Sequence, residues 1–481
     1  MNYLSIDIGT TACKCQLFSE SGEILAYRLE EYPFLEADGV HYVHVKEIET
    51  RLRRMISEIG AAFAVSSVAI SSLGESFVLL DGEDNILFHP MLYTDARGEA
   101  EVEALKTRFS EEKIFSVTGT VPHSMYSISK LLWIKNNAPE AFKRARCVML
   151  VCDYFGYLMT GERVIDYALA ARTGIFDIEK KEFCEPMLSA LGISEEWFSK
   201  PMRAGSTVGR IKPDWGVDAC LVLGSHDQIS AALGAGALSA GDAVDGMGTV
   251  ECITALFSEK PASVEMGRQG YPIVPYAAEG LYCTYMLNYS CGSAVSLIRK
   301  NIMHGFCGEE KSFFAYMEKK TGDAPSGLLC LPYFGGAATP HSDLSARGAI
   351  LGLSTDTQDG AVYRAVLEGL SMEMRYNADT VKQYGIEIRS AVATGGGANS
   401  ARWLKIKADI QGIPYRTLRS SEGGLCGLAM LQAVAMGSAS DLFAAREIFV
   451  RYKDSFLPES TEAYLPYYEK YKKLYKAIKE I

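Results

Sequence analysis

The chain opens on Asp7-Ile8-Gly9-Thr10-Thr11 and, at the start of its second half, runs through Asp245-Gly246-Met247-Gly248-Thr249. In both places an apolar strand leads from an aspartate into a glycine-threonine turn. Such a repeat suggests an internal duplication, one supersecondary unit built twice. Length agrees: 481 residues, 48% of them hydrophobic, exceed what one core sustains, so two domains of roughly 200–250 residues are expected. The turn cluster Ser239-Ala240-Gly241-Asp242 gives the boundary, 1–240 and 241–481.

Periodicity fills in the fold class. Tyr3–Ile8, Cys13–Ser19 and Ile24–Tyr32 read as a meander of strands, with Ser21-Gly22 as a turn. Residues 45–59 read as a helix with Ile48, Leu52, Met55, Ile56 and Ile59 on one stripe and Gly60 at its stop. Strands Val68–Ile70 and Phe77–Leu80 then alternate with helices near 97–109 and 127–137. A strand from Cys220 turns through Ser225-His226-Asp227-Gln228 into a helix Ile229–Leu238. The second half gives a strand Leu328–Leu331, a loop 332–348, a helix Asp359–Gln383, a strand Ser390–Thr394 and a helix Ala401–Gln411. An amphipathic helix Tyr464–Ile481 closes the chain. Strands alternating with helices define an α/β protein.

Charge and cysteine usage exclude several classes. The formal net charge is −11 with no Lys/Arg block, so neither nucleic acid nor an anionic membrane is an expected partner. An acidic chain that binds polyphosphate must do so locally, with backbone N–H groups, a few cations and Mg²⁺. The twelve cysteines hold no C-x-x-C pair, which fits free thiols in a reducing cytosol. No signal-peptide pattern and no run of 18 apolar residues appears, so a cytoplasmic protein is expected. By general frequency alone, a homodimer is expected.

Four segments carry candidate chemistry. Gly9-Thr10-Thr11, with Lys14 after it, exposes N–H groups and hydroxyls to a phosphate chain, or is a plain hairpin turn; Asp7 at the strand's end suits hydrated Mg²⁺. Gly395-Gly396-Gly397-Ala398-Asn399 joins a strand to a helix and allows close approach to a flat ligand, with phosphate favoured at the helix N-terminus. Asp227 ends a strand and opens a helix, where α/β folds place ligands; alternatively Ser225 with Gln228 forms a capping box and Asp227 only favours the helix dipole. Tyr93-Thr94-Asp95-Ala96-Arg97, preceded by Gly74-Glu75-Ser76, suits sugar hydroxyls, or Asp95 caps the next helix and Arg97 pairs with Glu101. Neither G-x-G-x-x-G nor a P-loop occurs, which removes the Rossmann and P-loop readings.

Taken in order, these residues resemble the FGGY carbohydrate kinase family over nearly the whole chain. Asp7 to Thr11 resembles its first phosphate motif, Tyr93-Thr94-Asp95-Ala96-Arg97 its W-x-D-x-R sugar motif, and Gly224 to Asp227 its G-x-x-D segment. Lys130-Leu131-Leu132-Trp133 and Ala171-Arg172-Thr173 resemble a recurrent helix and loop. Gly248-Thr249 resembles the second phosphate motif. Leu331-Pro332-Tyr333, Pro340, Asp343 and Ala346-Arg347-Gly348 follow, and Gly395 to Ala398 resembles the adenosine motif. The resemblance implies two ribonuclease-H-like (actin-like ATPase) domains with ATP and substrate in the cleft between them.

It also implies roles. Asp227 is the catalytic base; Glu75, Tyr93, Asp95 and Arg97 bind the sugar. Gly9, Thr10, Thr11, Lys14, Gly248, Thr249, Gly395, Gly396, Gly397, Ala398 and Asn399 hold ATP, with Mg²⁺ at Asp7. The sequence departs from the pattern at Tyr93, which stands for the motif's tryptophan. Leu73-Gly74-Glu75 replaces the Q-M-H of pentulose kinases, and Glu75-Ser76 partly matches the R-E-T of glycerol-type members. The expected substrate is a ketose such as xylulose; glycerol, another polyol or an aldonate is the alternative, and a non-catalytic ATP-binding sensor the alternative of another class.

Overall fold

The computed structural model describes residues 1–37, 39–303, 310–420 and 422–480. The chain divides into two compact units, and the first is discontinuous. Met1–Leu238, Ile273–Tyr282 and Glu422–Val450 form it, while Ser239–Pro272, Cys283–Ser421 and Arg451–Ile481 form the second.

The first unit is built on β1 (Asn2–Ile8), β2 (Ala12–Ser19), β3 (Ile24–Glu31), β4 (Ser67–Ser72), β5 (Thr207–Arg210) and β6 (Cys220–Val222), in sheet order β5-β6-β4-β1-β2-β3. β1 pairs antiparallel with β2 and parallel with β4, and β4 pairs parallel with β6. Every residue of β4 is buried, as a strand covered on both faces requires. The helix Val45–Ala62 buries the expected stripe but runs past Gly60 before it ends.

The helix Gly423–Ala435 belongs to this unit although it lies late in the sequence. Its buried Gln432 accepts from Ser67 Oγ at 2.8 Å and donates to Ser5 Oγ at 3.2 Å, tying it to β4 and β1. It packs backbone to backbone on the helix Asp227–Gly234: a Cβ at Gly427 would sit 2.0 Å from the Ser230 carbonyl oxygen. That contact fixes the helix whose first residue is Asp227.

The central sheet of the second unit is built on β7 (Asp242–Met247), β8 (Glu251–Phe257), β9 (Tyr282–Asn288), β10 (Ser390–Thr394), β11 (Tyr415–Leu418) and β12 (Tyr452–Phe456). They lie in the order β9-β8-β7-β10-β11-β12. β7 pairs antiparallel with β8 and parallel with β10; β10 pairs parallel with β11, and β11 antiparallel with β12. Strand for strand this repeats the first unit. The Gly9–Thr11 turn between β1 and β2 corresponds to the Gly248–Val250 turn between β7 and β8, so the short sequence echo marks a duplicated fold.

The C-terminal segment differs from expectation. It forms two helices, Thr461–Tyr471 and Leu474–Lys479, rather than one. Among the described residues the cysteines are free thiols, and no helix is long and apolar enough to cross a membrane.

Candidate active site and the cavity of the second unit

Because β1, β4 and β6 are parallel, their C-terminal ends meet along one edge of the sheet, the usual ligand edge of α/β proteins. Asp7 lies opposite Ser71, whose Oγ donates to Asp7 Oδ1 at 2.7 Å. His226, just beyond β6, bridges to Ser72. Asp227 follows it and opens the helix, with its Oδ1 accepting the Gln228 N–H at 2.6 Å. Protein surrounds Asp227 on most sides and burial pushes its carboxyl up to about 6, yet the side chain stays 36% exposed. Asp7 is likewise raised to about 6, by burial first and then by the charge of Asp227. A carboxylate near neutrality at a sheet edge suits proton transfer.

The capping-box alternative does not hold. Ser225 Oγ donates to Asp166 Oδ2 at 2.8 Å, and no side chain caps the Asp227–Gly234 helix. Lys14, the register partner of Asp7 on β2, places Nζ 2.9 Å from Glu422 Oε2.

Asp95 and Arg97 form a pair of their own. Arg97 Nε lies 3.0 Å from both Asp95 oxygens, and its Nη1 donates to the Tyr42 hydroxyl at 2.8 Å. The guanidinium rests over the rings of Tyr42 at 5.0 Å and Trp133 at 5.1 Å, a cation–π box that holds it rigid. The next helix starts at Glu99 behind Gly98, so Asp95 does not cap it. Lys130, fully buried, donates from Nζ to the Asp95 carbonyl at 2.7 Å, and burial pulls its ammonium down to about 8. Glu75 is buried against Arg172, whose Nε donates to Oε1 at 2.6 Å. Tyr93 stands apart, 45% exposed. Sequence reasoning assigned no site role to Arg172, Lys130 or Trp133. Lys130 and Trp133, three apart on one helix, share a face and were legible as a pair.

In the second unit a cavity of about 790 Å³ is lined by Gly248, Thr249, Gly396, Gly397 and Asn399, together with Phe314, Glu318, Tyr363 and Trp403. That volume suits a nucleoside-sized ligand, with aromatic faces and a few polar groups. Ala398 is not among its lining residues. Gly395 stands behind the wall with φ 81° and ψ −173°, a conformation open essentially to glycine alone. A Cβ there would meet the Met247 carbonyl oxygen at 2.7 Å. Phe314, Glu318 and Tyr363 come from helices far off in sequence, and no local pattern singles them out.

Gly395→Ala is therefore expected to weaken binding of a nucleoside-sized ligand in this cavity about tenfold, since the strain of about 1–3 kcal/mol falls on the strand that faces Met247-Gly248. Titration calorimetry with ATP checks this; wild-type affinity in the variant would remove Gly395 from the cavity's frame.

Two copies of one hairpin-and-parallel-strand sheet, the first with Asp7 and Asp227 at its ligand edge and the second beside a nucleoside-sized cavity, are the architecture of the actin-like ATPase fold. The chain belongs to the FGGY family of carbohydrate kinases: the family's N-terminal domain matches residues 2–234 and its C-terminal domain residues 246–436. It is 25% identical over 496 aligned positions to a xylulose kinase of Bacillus subtilis (strain 168), covering 99% of this chain and 97% of that protein. It is 25% identical to a gluconokinase of the same organism over 493 positions, covering 96% and 93%. A ligand-bound xylulose kinase from Lactobacillus acidophilus superposes with a TM-score of 0.88 at 25% identity, covering 100% of this chain and 98% of that one. Membership in this family implies the use of ATP.

Proposed function

We propose that the chain transfers the γ-phosphoryl group of ATP to a hydroxyl of a neutral sugar, a ketose such as xylulose, with Asp227 as general base. The observation that carries this reading is Asp227 itself: a carboxyl raised to about 6, opening a helix at the sheet edge beside Asp7. The substrate hydroxyl gives its proton to Asp227 as its oxygen bonds the γ-phosphorus. The bond from that phosphorus to the bridging oxygen breaks, and ADP leaves. In a loose transition state positioning matters most, and proton removal comes late.

Asp7 and Asp227 repel each other, and among the described residues no cluster of three metal-binding side chains occurs. That donor set fits Mg²⁺, which keeps its waters and takes one or two carboxylates together with phosphate oxygens. Asp7 would hold it, and when bound the ion neutralises charge on the transferring group. Gly9, Thr10 and Thr11, with Gly248 and Thr249, are the phosphate-binding turns in this reading. Lys14 would exchange Glu422 for a phosphate, and Gly395 to Asn399 would hold the adenosine.

Xylulose kinase and gluconokinase relatives stand at equal identity, so the choice between a neutral sugar and an aldonate rests on charge. Arg97 is paired with Asp95. An acid sugar would have to break this pair, which penalises it. Asp95, held by Lys130 and Arg97, accepts from substrate hydroxyls.

The test is a coupled ADP-release assay with Mg-ATP across ketopentoses, ketohexoses, polyols and aldonates, with an acceptor-free blank. A ketose signal far above the blank is expected. A winning aldonate would overturn the neutral-sugar reading, and ATPase without any phosphorylated acceptor would overturn the kinase.

A further inference from the structure

The segment Gly74-Glu75-Ser76 is a γ-turn. Ser76 N–H donates to the Gly74 carbonyl at 2.5 Å, and Glu75 takes φ 55°, strained for a residue with a side chain. Three contacts hold it. Arg172 grips the carboxylate, Ser127 Oγ donates to the Glu75 carbonyl at 2.6 Å, and Ser76 Oγ donates to the Met91 carbonyl at 2.7 Å.

The turn is wedged between two residues that lead to Asp227. A Cβ at Gly74 would lie 3.2 Å from Arg172 Cγ and equally close to the His226 ring. His226 Nε2 is in turn 3.2 Å from Asp227 Oδ1. Asp166 closes the arrangement from below. Its carboxylate accepts the N–H groups of Ala168 at 3.0 Å and Leu169 at 3.1 Å, capping the helix Tyr167–Ala171 that delivers Arg172. The same carboxylate accepts Ser225 Oγ, two residues before Asp227. Arg172 and Asp227 thus hang from one buried anchor, with Gly74 and His226 filling the space between.

We propose that Glu75 and Arg172 are positioning residues that act through this packing to orient Asp227, rather than ligands of the sugar. The proposal rests on the reading of Asp227 as the base. Both side chains are buried and matched to each other, which leaves them poorly disposed to meet a hydroxyl. Among the described residues the titratable and charged groups around Asp227 are Asp7 on β1, backed by Lys14 and Glu422; Arg172, with Glu75 against it; and His226. Burial first, then Arg172, holds His226 down at about 4, so it is neutral at pH 7. Arg172 is the cation that favours the ionised form of Asp227.

This arrangement gives a signature that lost folding does not mimic. Arg172→Gln and Glu75→Gln each loosen the packing that orients Asp227, so kcat for the best acceptor is expected to fall about tenfold while its KM stays within about twofold. Arg172→Lys, which keeps a cation against Glu75, should recover much of the loss. Thermal melts certify that each protein is folded; if Arg172→Gln does not fold, Glu75→Gln and Arg172→Lys carry the comparison. An acceptor KM that rises about tenfold with kcat kept would make the pair ligands of the sugar, and wild-type kcat in both single variants would remove them from the positioning of Asp227; either result overturns the proposal. Asp227→Asn serves as the separate control: full activity there defeats the base assignment itself, whatever the other variants do.

Discussion

Asp227→Asn is expected to lower kcat roughly a thousandfold, within the range for removing a positioned general base, while the affinity for ATP stays unchanged. Asparagine keeps the shape and its Oδ1 still accepts the Gln228 N–H, but it takes no proton from the acceptor hydroxyl. The same substitution is expected to stabilise the fold at alkaline pH. In the folded protein the carboxyl is raised from 3.8 to about 6, chiefly by burial. The folded state therefore binds the proton more tightly than the unfolded chain does. The resulting stability is complete below about pH 3.8 and lost as pH rises through 6. At pH 8 the wild type carries a charge its surroundings disfavour, and the asparagine variant does not. Coupled kinetics, ATP calorimetry and melts at pH 4 and 8 check all three parts. Near-normal turnover would remove Asp227 from the mechanism; a variant that melts lower at pH 8 would show that the carboxylate is stabilised rather than strained.

Local patterns made much of the fold legible. β10 and the helix Ala401–Gln411 begin and end where alternation and the Ser400 cap place them, and that serine accepts the Trp403 N–H at 3.2 Å. Elements whose limits depend on distant partners were not legible. The helix after β6 begins at Asp227 and ends at Gly234, earlier at both ends than the hydrophobic run Ile229–Leu238 implies. Its limits follow the helix Gly423–Ala435, almost two hundred residues away. The composition of that second helix says that it is buried, not which sheet it covers. The C-terminal pattern runs through Lys472-Lys473, where the chain turns between two helices. The site divides in the same way. Strand-end and glycine-rich residues announce themselves because turn chemistry is local. The partner of Glu75 lies 97 residues on, and a single glutamate after a glycine carries no sign of whether it faces a sugar or a buried arginine.

Lys407 shows the largest cost that the sequence hides. It lies inside the helix Ala401–Gln411 and is fully buried, with Nζ 2.7 Å from Asp245 Oδ2 on β7 and also bonded to Glu251 at the head of β8. Tyr415 on β11 donates to the same Asp245 oxygen at 3.3 Å. Two carboxylates share one ammonium in a dry interior, so Glu251 is pushed well above its ordinary range, by burial first, and carries a proton. The cluster is then neutral, and it clamps the helix after the triple glycine to the hairpin that bears Gly248 and Thr249. Lys407→Met strands Asp245 without a counterion, and a loss of about 3–5 kcal/mol is expected in the second unit. Glu251→Gln replaces a protonated acid with a neutral amide and is expected to be mild at pH 7. It should also flatten the pH dependence. Folding raises the Glu251 carboxyl from 4.5 to about 8, so the stability its proton contributes is complete below 4.5 and is lost as pH rises through 8. Denaturant melts of both variants at pH 5 and 8, with ATP titrations beside them, check the clamp. If Lys407→Met matches wild type in stability and in ATP affinity, the buried lysine contributes neither, and the cluster is a tolerated relic of packing. If Lys407→Met loses stability and nucleotide affinity together while Glu251→Gln keeps both, the ammonium is what holds the Gly248-Thr249 turn in place.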